Sequence, residues 1–448
     1  MKNLFLIVCL FCLSVVSSYC NFEKGTVIRD AEIEEILKSY IEPLFEKANL
    51  DKKDLNLVII IDPEVNAAAT INTTLIVNSG FLLKTTRLEE VLGVLAHEVG
   101  HLEGRHIIRM IEAIDQAKKA SILSVAVGLA LGVLSQRPDL GAALASGGSI
   151  SSVYSFLSYN RGEEASADQA ALKYLNALGW PSEGLASFFE KLLNQELLSS
   201  SLQDPYARSH PLTKDRLESV KSQLKKLSTP PLPKKMVEGY ETLKAKLEAF
   251  LMPPDIVLQH YRGTTPLHRY VQAIAHYRQG KTDTSLKLLQ ALVKEFPNHP
   301  YYVELQGQIH YEAGQLNLAI NNYRKALSLK PKEPLFQLGL AQALIALNKN
   351  QELVEAQNLL EQVQQEEPRN VTVWHFLSIV YGRLNKMGAM ALALAEKAAL
   401  LEKWDEADEQ VKRALHYLDK KDPLYVHAQD LQLQAKREKN KNTQTSRL

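Results

Sequence analysis

Between residues 86 and 103 the apolar side chains Leu88, Val91, Leu92, Leu95 and Val99 return every three or four positions. That is the period of a helix with one buried face. Thr86 and Glu89, at the start of the run, have the spacing of a capping box, which predicts where the helix starts. Upstream, LNLVIII (55–61) predicts a buried strand, and ATINTTLIVNSG (69–80) predicts a strand pair or a long edge strand. Farther along, Ala167, Ala171 and Leu175 fall four apart in YNRGEEASADQAALKYL (159–175), predicting a second helix with an inward face. Helices around a small sheet make the first half α+β.

The pattern changes after STPPLPKK (228–235), whose prolines predict a stiff connection. Beyond it the chain repeats. FPNHP (296–300) returns as KPKEP (330–334) and EEPRN (366–370). Gly280, Gly314 and Asn348 stand 34 apart, as do Pro297 and Pro331; Pro368 follows 37 later, with three extra residues near Gln351 to Glu355. Gly307, Tyr311, Ala319, Tyr323, Ala326 and Pro331 form a pattern that resembles the tetratricopeptide repeat, in which small residues let paired helices approach. The expected organisation is residues 1–20 as a leader, 21–227 as the first domain and 228–265 as a proline-rich linker with a connecting helix. Residues 266–435 follow as an all-α solenoid and 436–448 as an unordered polar tail. Such arrays present a concave face that binds peptides or partner proteins, or they brace a neighbouring domain.

Composition adds little: 46% hydrophobic and 23% charged residues with a net charge of +1 describe a globular chain with no electrostatic case for nucleic acid. The leader, MKNLFLIVCLFCLSVVSSYC, is distinctive. Lys2 precedes an apolar run from Leu4 to Val16 and small residues near Ser18, the layout of a secretory signal peptide cleaved after Ser18 or Cys20. Its three cysteines are all that the chain has, so the mature protein forms no disulfide and any metal must be held by His, Asp or Glu.

Candidate metal chemistry lies on the first predicted helix, in VLAHEVGHLEGRH (94–106 from Val94). His97 and His101 fall roughly 40° apart on a helix, one turn from each other, with Glu98 alongside to activate a water. This is H-E-x-x-H, whose physical sense is a zinc hydrolase. His106 arrives one residue too early for the third ligand of a metzincin; on a continuing helix it points about 180° from His97, and Glu103 about 120°. Both are thus expected outside the ligand set, His106 in a supporting or packing role. Glu164 and Asp168, four apart on the second helix, offer a ligand carboxylate and an acceptor for the far N–H of a ligand histidine. His210 precedes Pro211, in a stretch expected to be a loop. It could stabilise an oxyanion, occupy the open metal position and hold the site latent, or simply bond to backbone.

HEVGH together with Glu164-Ala165-Ser166-Ala167-Asp168, Arg161, the stretch from Asn66 to Leu83 and SHPLTKDR (209–216) resembles the gluzincin metallopeptidases related to HtpX and the CAAX prenyl proteases, over about residues 30–225. The resemblance implies a zincin-type α+β domain with one Zn²⁺ per chain, held by His97, His101 and Glu164. It implies Glu98 as general base and Asp168 supporting a ligand from outside the set. A signal peptide, this peptidase and tetratricopeptide repeats together resemble the periplasmic branch of the family. That combination implies a secreted endopeptidase of the periplasm that degrades misfolded or stalled outer-membrane proteins and aids their assembly. Unfolded envelope proteins would be its substrates, and its repeats would recruit them or the assembly machinery. A strand around Thr73 to Val77, if at a sheet edge, would hold extended substrate by backbone pairing. Two other classes stay open: a chaperone or scaffold with a latent, self-inhibited zinc site, and an integral membrane protease. Ala120 to Gln136 is uncharged and near the about 17-residue lower limit of a span. A single crossing would part the two halves of the zinc site, so the run is expected as a buried helix or one resting on membrane or substrate.

Overall fold

A computed structural model of the chain describes residues 23–116, 161–193, 205–210, 214–224 and 230–445. The expected leader and the uncharged run from 120 to 136 lie outside the described residues. Among those described, no helix is long and apolar enough to cross a membrane. The chain divides into two compact units that part between Lys281 and Thr282.

The first unit begins with strand β1 (Val27–Ile28) and helix α1 (Ala31–Lys47), whose start is fixed by Asp30 accepting the amides of Glu32 and Ile33. Strands β2 (Asn56–Ile60), β3 (Ala67–Thr70) and β4 (Thr74–Asn78) complete a sheet ordered β1-β2-β4-β3. β3 and β4 form a hairpin, with Asn72 at φ +54° in the turn, a conformation asparagine tolerates. The parallel pairing of β2 with β4 places β4 inside the sheet. The edges are therefore β1 and β3, not the strand from Thr73 to Val77. Alternation along a strand sets which face each side chain takes but does not say which strands become neighbours. Ile59, Ala67, Ala69, Leu75 and Val77 turn one face of the sheet to the main core, while Val58, Ile60 and Ile76 form a cluster of their own.

Helices α2 (Ser79–Lys84) and α3 (Leu88–Glu103) follow. The expected Thr86–Glu89 box does not form: the helix starts at Leu88, so Glu90 holds the third helical position and accepts the Thr86 amide at 2.9 Å. Glu90 also accepts from Ser187 at 2.8 Å and pairs with Lys191 at 2.7 Å, both on α6 (Glu183–Leu193). α3 is buried on nearly every side, with Val91, Leu92, Val94, Leu95, Ala96 and Val99 fully enclosed. Two glycines permit this. A Cβ on Gly93 would stand 2.7 Å from the Leu185 amide of α6, and one on Gly100 would stand 3.0 Å from the Ala167 carbonyl of α5 (Arg161–Ala177). α3 ends at Gly104, Arg105 turns left-handed at φ +50°, and α4 (His106–Gln116) sets off afresh.

Short α7 (Pro205–Ser209) and α8 (Lys214–Leu224) follow α6. Within the stretch expected as a linker (228–265), α9 (Lys234–Leu251) packs into the same core through Tyr240, Leu243 and Leu247. Tyr240 donates to the Thr85 carbonyl at 2.9 Å, and Lys246 lies 2.9 Å from Asp30 and 3.0 Å from Glu32. α9 is thus a structural member of this unit, because its apolar stripe has a core to enter. α10 (Pro254–His260) and α11 (Pro266–Arg278) complete it, Tyr270 of α11 donating to Glu32 at 3.0 Å.

The second unit alternates antiparallel helices: α12 (Thr282–Glu295), α13 (Pro300–Glu312), α14 (Leu316–Leu329), α15 (Pro334–Leu347) and α16 (Asn350–Glu366). α17 (Val371–Arg383), α18 (Met387–Leu400), α19 (Trp404–Tyr417) and α20 (Pro423–Thr445) continue the series. The Gly280, Gly314 and Asn348 positions share left-handed φ of +74°, +72° and +57°, the reversal that glycine and asparagine permit. Asn385, 37 residues beyond Asn348, repeats it at +58°. The three extra residues lengthen α16 to 17 residues against 14 in α14. Gly307 lies so close to Tyr323 that a Cβ would meet its ring at 3.2 Å. The tail expected to be unordered from Lys436 instead prolongs α20 to Thr445. Buried Leu431 and Ala435 anchor that helix, and Lys439 reaches Asp405 at 2.7 Å and Asp408 at 3.6 Å on α19.

Candidate metal centre

α3 brings His97 and His101 to one face, their Nε2 atoms 3.0 Å apart. α5 crosses this face where Gly100 leaves room, and delivers Glu164 with Oε1 3.3 Å from His101 Nε2 and Oε2 3.5 Å from His97 Nε2. His210, one residue past α7, puts Nδ1 3.3 Å from His97 Nε2 and 3.0 Å from Glu164 Oε1. All four side chains are buried, and their candidate ligand atoms lie within 4.8 Å of one another. Donor atoms bonded to one tetrahedral ion at about 2.0–2.1 Å stand about 3.4 Å apart. Four of the spacings, at 3.0–3.3 Å, meet that requirement, and four lone-pair donors facing one buried point call for a cation there. The residues fit a metal ion.

Each helix histidine is backed by a partner. Asp168, one turn after Glu164, lies 2.9 Å from His97 Nδ1, and His106 Nδ1 lies 2.7 Å from His101 Nδ1. The break at Gly104 and Arg105 is what brings His106 here; a continuing helix would have carried it to the far side. Glu103 turns away and accepts the Tyr174 hydroxyl. Glu98 stands beside the cluster: Oε2 accepts the Ala69 amide of β3 at 2.8 Å, and Oε1 faces His210 Nε2 at 3.5 Å.

Burial and charge set the protonation of these groups. Burial opposes the charged His97 ring, but Asp168 and Glu164 outweigh it and raise His97 to about 9. His101 is driven well below its ordinary value, first by burial and then by the neighbouring rings. Burial raises Glu98 despite His210 and His97 nearby. For Glu164 burial works upward, yet His210, His101 and His97 hold it well below the usual carboxylate range. Asp168 is lowered in the same way by Arg216 and His97 against its burial.

Two neighbours carried no helical or strand signal. Arg216 on α8 bonds Asp168 through Nε and Nη2, both at 2.8 Å, and its Nη1 lies 2.6 Å from Glu164 Oε2. Tyr206 stacks on His210 at 4.4 Å and 20°, its hydroxyl buried without a hydrogen-bond partner among the described residues. Arg216 lay in plain view in SHPLTKDR, six residues after His210, but only the fold gives it its partners.

Both halves of the chain match known proteins. Residues 28–224 match peptidase family M48, and residues 282–411 match the cytochrome c-type biogenesis protein H TPR domain. The β-barrel assembly-enhancing protease of Escherichia coli (strain K12) is 25% identical over 390 residues, covering 85% of this chain and 78% of the relative. A putative β-barrel assembly-enhancing protease of Vibrio cholerae is 25% identical over 391 residues, with 85% and 79% covered. Metalloprotease LoiP of Escherichia coli (strain K12) is 26% identical over 179 residues, 39% of this chain and 65% of its own length. The chain therefore carries a peptidase family M48 domain followed by tetratricopeptide repeats, and is a metalloprotease homologous to the β-barrel assembly-enhancing protease.

Proposed function

We propose that this metalloprotease is a zinc endopeptidase of the periplasm, with His97, His101 and Glu164 as ligands and Glu98 as general base. The observation that carries the reading is the meeting of two imidazoles from α3 with a carboxylate from α5, with Glu98 one residue from His97 on the same helix. A zinc ion in that cluster would supply an acidified water, with a pKa of about 7, and a Lewis acid for the scissile carbonyl. The protein's residues do the rest. The Ala69 amide holds Glu98 Oε2, so Oε1 is the oxygen turned towards the reacting centre. Its raised affinity for protons suits a group that takes one from water and passes it to the leaving amine. Asp168 holds the His97 ring through Nδ1, leaving Nε2 for the ion.

Substrate would lie along β3. Asn66 and Asn78 exchange a ladder bond, the Asn78 amide donating to the Asn66 carbonyl at 3.0 Å, so in an antiparallel pair Ala67 and Ala69 turn their backbone groups away from β4. An extended chain pairing with Ala67 would be read by main chain, with little sequence preference, and would pass Glu98. Unfolded outer-membrane proteins fit that selectivity, as the β-barrel assembly named for the relatives suggests. The repeats would recruit such chains or their assembly machinery.

A second reading has its own support. His210 is close enough to Glu164 and His97 to fill the fourth ligand position, which describes a latent enzyme acting as a scaffold until His210 withdraws. The mature protein is tested for zinc content and casein cleavage beside Glu98→Gln, Glu164→Ala and His210→Ala. The proposal expects one zinc per chain, zinc retained but cleavage lost in Glu98→Gln, and zinc weakened in Glu164→Ala. Equal zinc in wild type and Glu164→Ala would displace Glu164 from the ligand set. Latency expects His210→Ala to cleave faster; unaltered activity and zinc content would remove His210 as a gate.

A further inference from the structure

Zinc accepts a carboxylate through one oxygen or through both, and a catalytic site needs a position kept open. Nothing in the glutamate side chain itself selects one mode. Glu164 has its two oxygens in different company. Oε1 faces His101 Nε2 at 3.3 Å and His210 Nδ1 at 3.0 Å, on the ligand side. Oε2 stands 3.5 Å from His97 Nε2, near enough to share an ion, but is met by Arg216 Nη1 in an ion contact of 2.6 Å. That guanidinium has little freedom. Its Nε and Nη2 grip both oxygens of Asp168 at 2.8 Å, its face lies 4.9 Å from the Phe189 ring centre, and the side chain is 6% exposed. A planar fork clamped along one edge delivers its remaining nitrogen to one place.

We propose that Arg216 is a positioning residue that holds Glu164 to a single ligand oxygen. By occupying Oε2 it keeps the carboxylate from chelating the ion and filling the position that water and substrate need. The same guanidinium braces Asp168, which stands behind His97, so the settings of a carboxylate and an imidazole ligand are joined through one side chain. A lysine would match the charge but not the fork, and could not hold Asp168 by two bonds while reaching Glu164.

The inference rests on the ligand set proposed above, and the test separates the two. The full mature chain is loaded with Co²⁺ as a spectroscopic substitute for zinc, and visible absorption is recorded for wild type, Arg216→Lys and Arg216→Gln. Zinc affinity is measured by competition with a chromophoric chelator for these proteins and Glu164→Gln. Wild type should show the intense bands of a four-coordinate ion. Both Arg216 variants should show the weaker bands of a five-coordinate one, with zinc affinity lowered about 10- to 100-fold. Wild-type bands in the Arg216 variants overturn the proposal whatever their affinity, and so does a five-coordinate spectrum in wild type. If Arg216→Gln does not fold, the charge-conserving Arg216→Lys decides by the same bands. Equal zinc affinity in Glu164→Gln and wild type would instead overturn the ligand set.

Discussion

Adding one methyl group at Gly100 should damage metal binding more than it damages the fold. Gly100 sits inside HEVGH, between the two histidines, and contributes no donor atom. A Cβ there would stand 3.0 Å from the Ala167 carbonyl, 3.1 Å from Ala167 Cα and 3.1 Å from Ala170 Cβ. Carbon atoms at rest keep about 3.5–4.0 Å between them, so α5 must retreat by about half an ångström. Glu164 lies three residues before Ala167 on that helix and retreats with it. Metal–ligand distances tolerate only about 0.2 Å, so the displacement exceeds what coordination absorbs. Stability pulls two ways: overpacking costs about 1–3 kcal/mol, and alanine is better than glycine within a helix by about 1 kcal/mol. The net loss for Gly100→Ala is therefore about 0–2 kcal/mol, while zinc affinity falls by about tenfold or more, and Gly100→Val is worse in both. Thermal melting of the metal-free protein and zinc titration against a chelator measure the two effects. A folded Gly100→Ala protein that binds zinc as wild type does would refute the argument that this glycine sets the distance between the ligand helices.

Two further outcomes follow from the packing. Burial pulls Glu90 upward, but Lys191 with the Thr86 amide and Ser187 lowers it below its ordinary value. Its contribution to stability is thus present above about pH 4.5 and lost as pH falls through the folded value. Glu90→Gln should cost about 2 kcal/mol at pH 7, with a deficit that shrinks below pH ~4.5; melting curves showing a constant deficit would contradict the sign. Leu243 of α9 is 1% exposed in the main core, so Leu243→Ala should cost about 2–5 kcal/mol, and a fragment ending at residue 227 should fail to fold. A soluble, zinc-binding fragment of residues 21–227 would show that α9 is dispensable.

How much of this could be read beforehand depended on how local each feature is. The α3 face and the inward alanines of α5 follow from period 3.6, and the Gly280, Gly314 and Asn348 spacing follows from a repeated backbone reversal. The break after Gly104 did not show, because the left-handed residue is Arg105, which has no preference for that region. The order of the sheet was hidden too, since the pairing of Asn56–Ile60 with Thr74–Asn78 depends on partners 18 residues apart. Arg216 lacked a signal for a related reason: its carboxylate partners lie 48 and 52 residues earlier, and no periodicity spans such gaps. The polar end of α20 offered no amphipathic stripe beyond Ala435, although Lys439 there meets Asp405 and Asp408 of α19.

The ammonium of Lys246, enclosed with Asp30, Glu32 and the Tyr270 hydroxyl, joins residues that leave a ribosome or a translocation pore more than 200 positions apart. A chain threaded N-terminus first thus presents two acids at the head of its first helix long before their counter-charge arrives. Until α9 emerges, those carboxylates must stay hydrated and the helix they begin cannot bury them. The counter-charge that lets Asp30 and Glu32 be buried therefore arrives only with the last helices of this unit.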